Sequence, residues 1–521
     1  MVKDLIKAFL LFNMYCVAAP LLGAYIKNNR GHQRIAFSIM AFMTMGGLFH
    51  ATEWGLTLGS VEWYRGHTKG YNFYFQEFWA IALITASLLG RKPRGTLNPI
   101  GLWLWYLYCF LSFLSIVNAP VANYVFMCAF RYVKVAVIFT AAYNFLRDED
   151  DLRHFIKTMA ICLIWQAFVC LKLRYLEGRY QIHGTFEHQN PLAMYILLIF
   201  PAILAMALSD NEKLKNICVV GYLCGGLCVL LTVSRAAFAL TGAGTVGMIF
   251  MSLLQKATKR RIIVTVCIAF IGSLGVLKAM DTLMGRFMNS DPPEGVLDLR
   301  EIMIVCCQEM YRDNLLGYGW NCYGHGVTGG LARYADIMDD WTRTLDQNPI
   351  PGFKYPIVES HYYLLLGETG IQSWIGYFLF IGVFTFWNLR GWWYWRRSDL
   401  GMICLGLLAG VSMCYLQSFV ERILTQPRNM MEWMMVLGVT AKIEFWRRRQ
   451  VKLEKKFKID WKQEPRRLLL TDDDCLALPA NHRTPNSPGA PDSSPALREQ
   501  QPIPAPPAKP PLHPSARRKR A

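Results

Sequence analysis

Glu359-Ser-His-Tyr-Tyr-Leu-Leu-Leu-Gly-Glu-Thr-Gly370 marks the place where a long polar stretch, from about Asp281 to Ser360, gives way to apolar sequence. Outside the C-terminal tail, that stretch is the one sizeable segment too polar to sit in lipid. The sequence on either side of it reads as membrane. Of the 521 residues 53% are hydrophobic and 13% aromatic, and the mean hydropathy is +0.22, too apolar for an ordinary soluble protein of this size. A bilayer core needs about 20 mostly apolar residues per helix. Runs of that kind are centred on 5 to 26, 35 to 50, 76 to 90, 99 to 118, 121 to 144, 155 to 175, 191 to 208, 217 to 233, 236 to 254, 262 to 279, 361 to 388, 400 to 420 and 428 to 446. The short alternating segments of a membrane β-barrel are not seen. The expected fold class is therefore all-α: a polytopic membrane protein of about 12–13 transmembrane helices with one large extracytoplasmic loop.

The formal net charge of +18 does not call for a nucleic-acid partner. From Lys442 onward there are 18 basic and 9 acidic residues, so half of the excess lies in the tail, and much of the rest sits in short connections between spans. Basic connections mark the cytoplasmic side. Placing Lys27 to Arg34, Arg91 to Arg94, Arg147 to Arg153, Lys213 to Lys215, Lys256 to Arg261, Arg390 to Arg397 and Arg447 onward in the cytoplasm is self-consistent. Alternation then puts 51–75, 176–190, 234–235, 281–360 and 421–427 outside. Either the N-terminus is outside too, or the first segment is not a full crossing. The chain divides into a transmembrane domain, 1–446, which contains the 281–360 loop, and a tail, 447–521. The tail is basic and then Pro-rich, with 12 of the 25 prolines from Pro479 on, and is expected to be disordered, with its basic head against anionic lipid. Most of the 15 cysteines lie in apolar runs as small hydrophobes, and no metal-ligand spacing occurs. A disulfide through Cys322 is the less favoured alternative to free thiols.

Four constellations could carry chemistry. Tyr180-Gln-Ile-His-Gly-Thr-Phe-Glu-His-Gln-Asn-Pro-Leu-Ala runs from an outer loop into a helix starting near Pro191, with Asn190 as its N-cap. The helix end would suit a phosphate oxygen, although His183, Glu187 and His188 serve equally well to cap and solvate it. Ser234-Arg235 interrupts an apolar run at the outer face, where the positive-inside bias disfavours an arginine, which points to an anion contact rather than snorkelling. The loop carries Arg286, Arg300, Arg312, Arg333 and Arg343; Val296 to Arg312 has the spacing of an amphipathic surface helix, and Asn314-Leu-Leu-Gly-Tyr-Gly-Trp comes next as a Gly-rich turn. His361 stands at the water–lipid boundary, where a neutral imidazole suits a general base, with Glu359 and Glu368 as possible orienters.

Together these pieces resemble the O-antigen ligase and polymerase family, membrane glycosyltransferases acting on undecaprenyl-diphosphate-linked glycans. The resemblance rests on Gly184-Thr-Phe-Glu-His-Gln-Asn-Pro-Leu-Ala before a span, Ser234-Arg235 between spans, Arg300 followed by Leu316-Gly-Tyr-Gly, and Ser360-His-Tyr-Tyr-Leu-Leu-Leu-Gly-Glu-Thr-Gly, over residues 180 to 390. It implies a fold like the C-type glycosyltransferases in the bacterial inner membrane, with the site facing the periplasm and the tail in the cytoplasm. It also implies metal- and cofactor-independent, inverting transfer. By position, Arg235 and Arg300 would hold the donor's diphosphate, with Arg286 or Arg312 as alternatives to Arg300. His361 would serve the acceptor hydroxyl, and Ser234, His188, Asn190 and Glu359 would support the site. The acceptor would be a glycolipid, with a lipid A core sugar favoured, or else a growing glycan or an exported protein. A transporter of lipid-linked glycans is the alternative of another class.

The topology has a direct check. Cysteines introduced at Ser290 and His325 should react with a membrane-impermeant reagent in intact cells; labelling only after the membrane is opened would overturn the arrangement.

Overall fold

A computed structural model of the chain describes residues 2–46, 55–61, 64, 66–90, 95–209, 215–288, 299–327, 333–338, 357–461 and 465–478. It is mostly helical. α1 (Val2–Phe12) passes through a π-turn into α2 (Ala19–Ile26), and α3 (Arg30–Met43), α4 (Phe75–Leu89), α5 (Leu102–Phe113), α6 (Ala122–Phe145) and α7 (Glu149–Leu171) succeed it. Next come α8 (Gln189–Ala207), α9 (Lys215–Thr232), α10 (Arg235–Gln255), α11 (Lys259–Met288), α12 (Leu299–Asp313) and α13 (Tyr323–Val327), and then α14 (His361–Tyr394), α15 (Asp399–Gln417), α16 (Pro427–Phe457) and α17 (Asp472–Leu476). Among the described residues seven helical stretches are long and apolar enough to cross a membrane, and three shorter ones are apolar. α10 and α11 leave Val246, Phe250, Leu254, Ile263, Val266 and Phe270 largely exposed. An apolar surface of that extent is what lipid covers.

α8 is the axis of the bundle, buried along its whole length from Pro191 to Ala207. It packs closely on α15 because α15 turns glycines toward it: a Cβ on Gly410 would lie 2.0 Å from the Leu198 carbonyl oxygen, and one on Gly406 2.6 Å from Ala202 Cα. Small residues permit such backbone approach where lipid supplies no hydrophobic drive between helices.

The connections sort to two ends of the bundle. At one end Arg261 donates to Leu208 O, Gln255 to Arg396 O, Ser209 to Asp399, and Arg30 and Arg34 pair with Asp151. These are the segments whose basic residues marked them as one side. At the other end lie the 51–75 segment, the turn after α12, and the starts of α6, α8, α10, α14 and α16.

The 51–75 segment contributes a short β-hairpin, β1 (Gly55–Leu58) antiparallel to β2 (Tyr71–Tyr74), with Gly55 opposite Tyr74 and Leu58 opposite Tyr71, to a fold that is otherwise helical among the described residues, as expected of an all-α polytopic membrane protein. Two expectations are corrected. α11 continues to Met288, so the loop begins later than Asp281, and the loop carries a folded unit of its own. α12 buries Ile302, Met303, Cys306, Cys307 and Met310 in a small core with Tyr323, Tyr334, Val358 and Leu364, while Cys322, like every cysteine, is a free thiol. The basic head of the tail is also ordered. α16 runs on to Phe457, and Trp461, Leu469, Cys475 and Leu478 return to pack on Leu453 and Phe457, tied by Arg466 to Tyr394 O and by Lys456 to Asp472. Average composition, the basis for expecting disorder, hides this small apolar set. Residues 479–521, which hold the 12 prolines, lie outside the described residues.

The Gly-rich turn is the loop's anchor. Gly317 and Gly319 have φ of +90° and +126°, and Tyr318 N–H and Gly319 N–H donate to Gly367 O and Glu368 O of α14, at 2.9 Å each. α14 accommodates this by breaking its own ladder at Gly370, φ +72° and ψ 179°. A Cβ there would sit 2.3 Å from Leu315 O, whereas one on Gly382, further along α14, meets nothing within 4 Å. Gly370→Ala should therefore cost about 1–2 kcal/mol from left-handed backbone strain alone, with the clash added. Gly382→Ala should stay within about 0.5 kcal/mol. Thermal unfolding of the detergent-solubilised variants checks both; equal effects would mean that the turn does not depend on the break.

Candidate functional site

His361 opens α14. Its backbone N–H donates to Ser418 O at 3.0 Å, which fixes the start of α14 against the end of α15. The ring is 3% exposed and lies edge-on to Tyr377, with centroids 5.0 Å apart. Neither ring nitrogen has a hydrogen-bond partner among the described residues. Buried polar atoms are nearly always partnered, so an imidazole held with both nitrogens open is a candidate for contact with another molecule. His67 and Arg422 are close enough to act on it electrostatically.

One cluster lies beside it. Arg300, the second residue of α12, makes an ion pair with Glu359, and its Nη2 is 3.5 Å from Glu421 Oε1. The Asn190 side chain donates to that same Glu421 oxygen. Arg300 and Asn190 thus join α12 and α8 to the α15–α16 connection. Burial, followed by the charge of Glu359, raises the Glu421 pKa to about 7, and Arg300 and Arg422 oppose the rise. Arg422 is half-buried, and its guanidinium makes no hydrogen bond to any described residue. It feels the carboxylates of Glu359, Glu368 and Glu421 and the cation Arg131.

Beyond Arg422 a cavity of about 440 Å³ is lined from three directions. The 51–75 segment supplies His67, Thr68 and Lys69, α6 supplies Arg131, and the stretch into α16 supplies Arg422, Gln426 and Arg428. Glu187 also lines it. His67 is held by Glu368, with Nε2 to Oε2 at 2.9 Å, and its Nδ1 has no hydrogen-bond partner among the described residues. Arg131 is 3% exposed and donates to His67 O at 2.5 Å and to Thr425 O, while its Nε has no partner among the described residues.

The residues singled out from sequence divide accordingly. His361, Arg300, Glu359 and Asn190 come together. His188, rather than Asn190, caps α8, its Nδ1 accepting from Asn190 N–H at 3.3 Å, so the helix starts earlier than the Pro191 reading placed it. Ser234 occupies the N-cap position of α10 without a side-chain cap, after Val233 turns the chain at φ +53°. Arg235 is next in the chain, exposed, at the same end of the bundle as Asn190, on a helix packed chiefly against α8 and α15. Arg312 makes an exposed pair with Glu309, and Arg333 pairs with Asp313. Arg343 and the Arg286 side chain lie outside the described residues. Glu359 and Glu368 do not orient the His361 ring; they hold Arg300 and His67.

Sequence reasoning missed His67, Arg131, Arg422 and Arg428. Arg131 sits inside an apolar run, and Arg422 and Arg428 flank an outer connection, so the cost of an outward or intramembrane cation, which singles out Arg235, singles them out as well. Among the described residues no group of three or more His, Cys, Asp or Glu side chains could hold a metal ion. No family model and no curated protein matches the chain.

Glu421 sets a pH dependence. Its folded-state pKa of about 7 exceeds the ordinary 4.5, so the folded form holds the proton more tightly. Its stabilising effect is then complete below about pH 4.5 and is lost as the pH rises through about 7. Glu421→Gln, fixed in a neutral form, should lose less thermal stability than the parent between roughly pH 5 and 8. Parallel curves would show that the carboxyl titrates normally.

Proposed function

We propose that the chain is an O-antigen ligase-like membrane glycosyltransferase that moves a glycan from an undecaprenyl-diphosphate carrier to an acceptor hydroxyl, with a lipid A core sugar as the favoured acceptor. The observation that carries the reading is the buried His361 imidazole, both nitrogens unpartnered, at the membrane-entering end of α14 beside Arg422 and the Arg300 cluster. In this reading the fold is of the C-type glycosyltransferase kind, lies in the bacterial inner membrane, and turns this end of the bundle to the periplasm.

The chemistry needs little more than these groups. The diphosphate is already a good leaving group, so the protein has to orient and deprotonate the acceptor and neutralise the charge that grows as the donor departs. His361 takes the acceptor's hydroxyl proton. The freed oxygen bonds to the anomeric carbon from the face opposite the diphosphate, inverting it. The bond from that carbon to the phosphate oxygen breaks, and the electron pair leaves with the undecaprenyl diphosphate. Arginine suits the leaving group because its forked donors stay charged and reach two oxygens at once. Arg235 and Arg300 take that role, and Arg300 exchanges the Glu359 and Glu421 carboxylates for the diphosphate.

A polymerase or a protein O-oligosaccharyltransferase would share these steps and differ only in acceptor. A transporter is the second reading that a specific observation favours. Glu432 is buried in α16 with neither carboxyl oxygen hydrogen-bonded among the described residues, and Glu77 of α4 pairs with Lys134 of α6 within the bundle. Ionisable groups inside spans are a mark of transport pathways.

Purified protein given undecaprenyl-diphosphate-linked glycan and lipid A core should form the joined product. His361→Ala should slow transfer by about 100-fold or more through loss of the base, and Arg235→Ala by about 100-fold through loss of a charge-stabilising donor. Transfer by both variants at the parental rate, or none by the parent, would sink the assignment.

A further inference from the structure

We infer that the cavity between the β1–β2 hairpin segment and the start of α16 is a subsite for a phosphate group carried by the acceptor sugar. The inference rests on the glycosyl-transfer reading, which says that an acceptor must approach His361 but leaves its chemistry open.

The lining is decisively cationic. Lys69, Arg131, Arg422 and Arg428 face the cavity against a single carboxylate, Glu187. The N-terminus of α16 adds to them: Gln426 and Pro427 line the cavity, and the Gln426 N-cap makes no side-chain cap, so the positive end of a long helix opens there. This excess is more than one carboxylate would neutralise. A phosphate monoester carries about −1.5 to −2 charges near neutral pH and several strong acceptor oxygens.

The donors are also fixed in advance. Arg131 is buried and clamped by two backbone carbonyls, His67 O and Thr425 O, while its Nε faces no partner. His67 is clamped through Nε2 by Glu368 and keeps Nδ1 unpartnered. Groups held by their own neighbours lose little freedom when a ligand arrives. Arg422 makes no hydrogen bond to any described residue, lines this cavity and also feels Glu359 and Glu421, and both Arg422 and His67 act on His361. Donor and acceptor therefore have separate approaches to His361. The diphosphate reaches it from the Arg300 side, and the acceptor, steered by its phosphate, comes from the hairpin side. The volume of about 440 Å³ falls in the range of small-molecule sites and admits a sugar phosphate.

Calorimetric titration of the purified full-length protein with glucose 6-phosphate, glucose and undecaprenyl diphosphate tests this. Glucose 6-phosphate should bind and glucose should not. Arg422→Gln should weaken the sugar phosphate by about tenfold or more, and Arg422→Lys should recover part of that loss. Undecaprenyl diphosphate affinity should change by less than about threefold, because its contacts lie elsewhere. An equal loss for undecaprenyl diphosphate would place the donor in the cavity and overturn the inference. So would glucose binding as well as its phosphate, or sugar-phosphate affinity unchanged in Arg422→Gln. A parent that binds glucose 6-phosphate through Arg422 yet transfers no glycan would refute the transferase and leave the subsite standing. Equal transfer to phosphorylated and dephosphorylated acceptors would do the reverse.

Discussion

The Glu368 carboxylate is the interaction on which this end of the molecule depends. It accepts the backbone N–H groups of Asn321 at 3.0 Å and Tyr323 at 2.8 Å, together with His67 Nε2 at 2.9 Å. One side chain of α14 therefore holds the turn after α12 and the hairpin segment that precedes α4. Its own carbonyl oxygen and that of Gly367 receive two further N–H groups from the Gly-rich turn. A buried carboxylate is costly unless its acceptor positions are filled, and here they are filled by segments distant in sequence. Asn321 extends the link: its amide donates to Thr68 O and Tyr124 O, and its own side-chain oxygen accepts Thr68 N–H.

The geometry of the candidate site depends on that bolt. His361 lies two helical turns before Glu368 on the same helix, so whatever fixes Glu368 fixes the imidazole. His67, held by Glu368, in turn positions the carbonyl that clamps Arg131. The left-handed glycines at 317, 319 and 370 allow the loop backbone to approach α14 closely enough for these bonds to form. The turn after α12 is thus built into the helix that carries the candidate base.

Much of this was legible in the sequence, and the gaps have physical causes. The long helices could be read because lipid demands long apolar runs. The amphipathic α12 and its Gly-rich turn could be read because helical spacing and glycine carry local signals. Arg300 could be singled out, but not the Glu359 and Glu421 that hold it, since those contacts join distant segments. His67 and Arg131 were overlooked for a different reason. A lone histidine in a polar segment and one arginine in an apolar helix carry no motif, and they acquire meaning only once the hairpin folds over α6. The tail was misjudged because composition averages over its length, whereas Leu453, Phe457, Trp461, Leu469, Cys475 and Leu478 together suffice for a small core.

The proposed function turns on one geometric condition, that a lipid diphosphate binds between Arg235 and Arg300 with His361 facing its sugar. An electron cryomicroscopy map of the protein in nanodiscs with undecaprenyl diphosphate tests it most directly. The account predicts phosphate oxygens about 3 Å from both guanidinium groups, with the first sugar position open toward His361. Diphosphate density in the hairpin cavity instead, or bound away from both arginines, would contradict it.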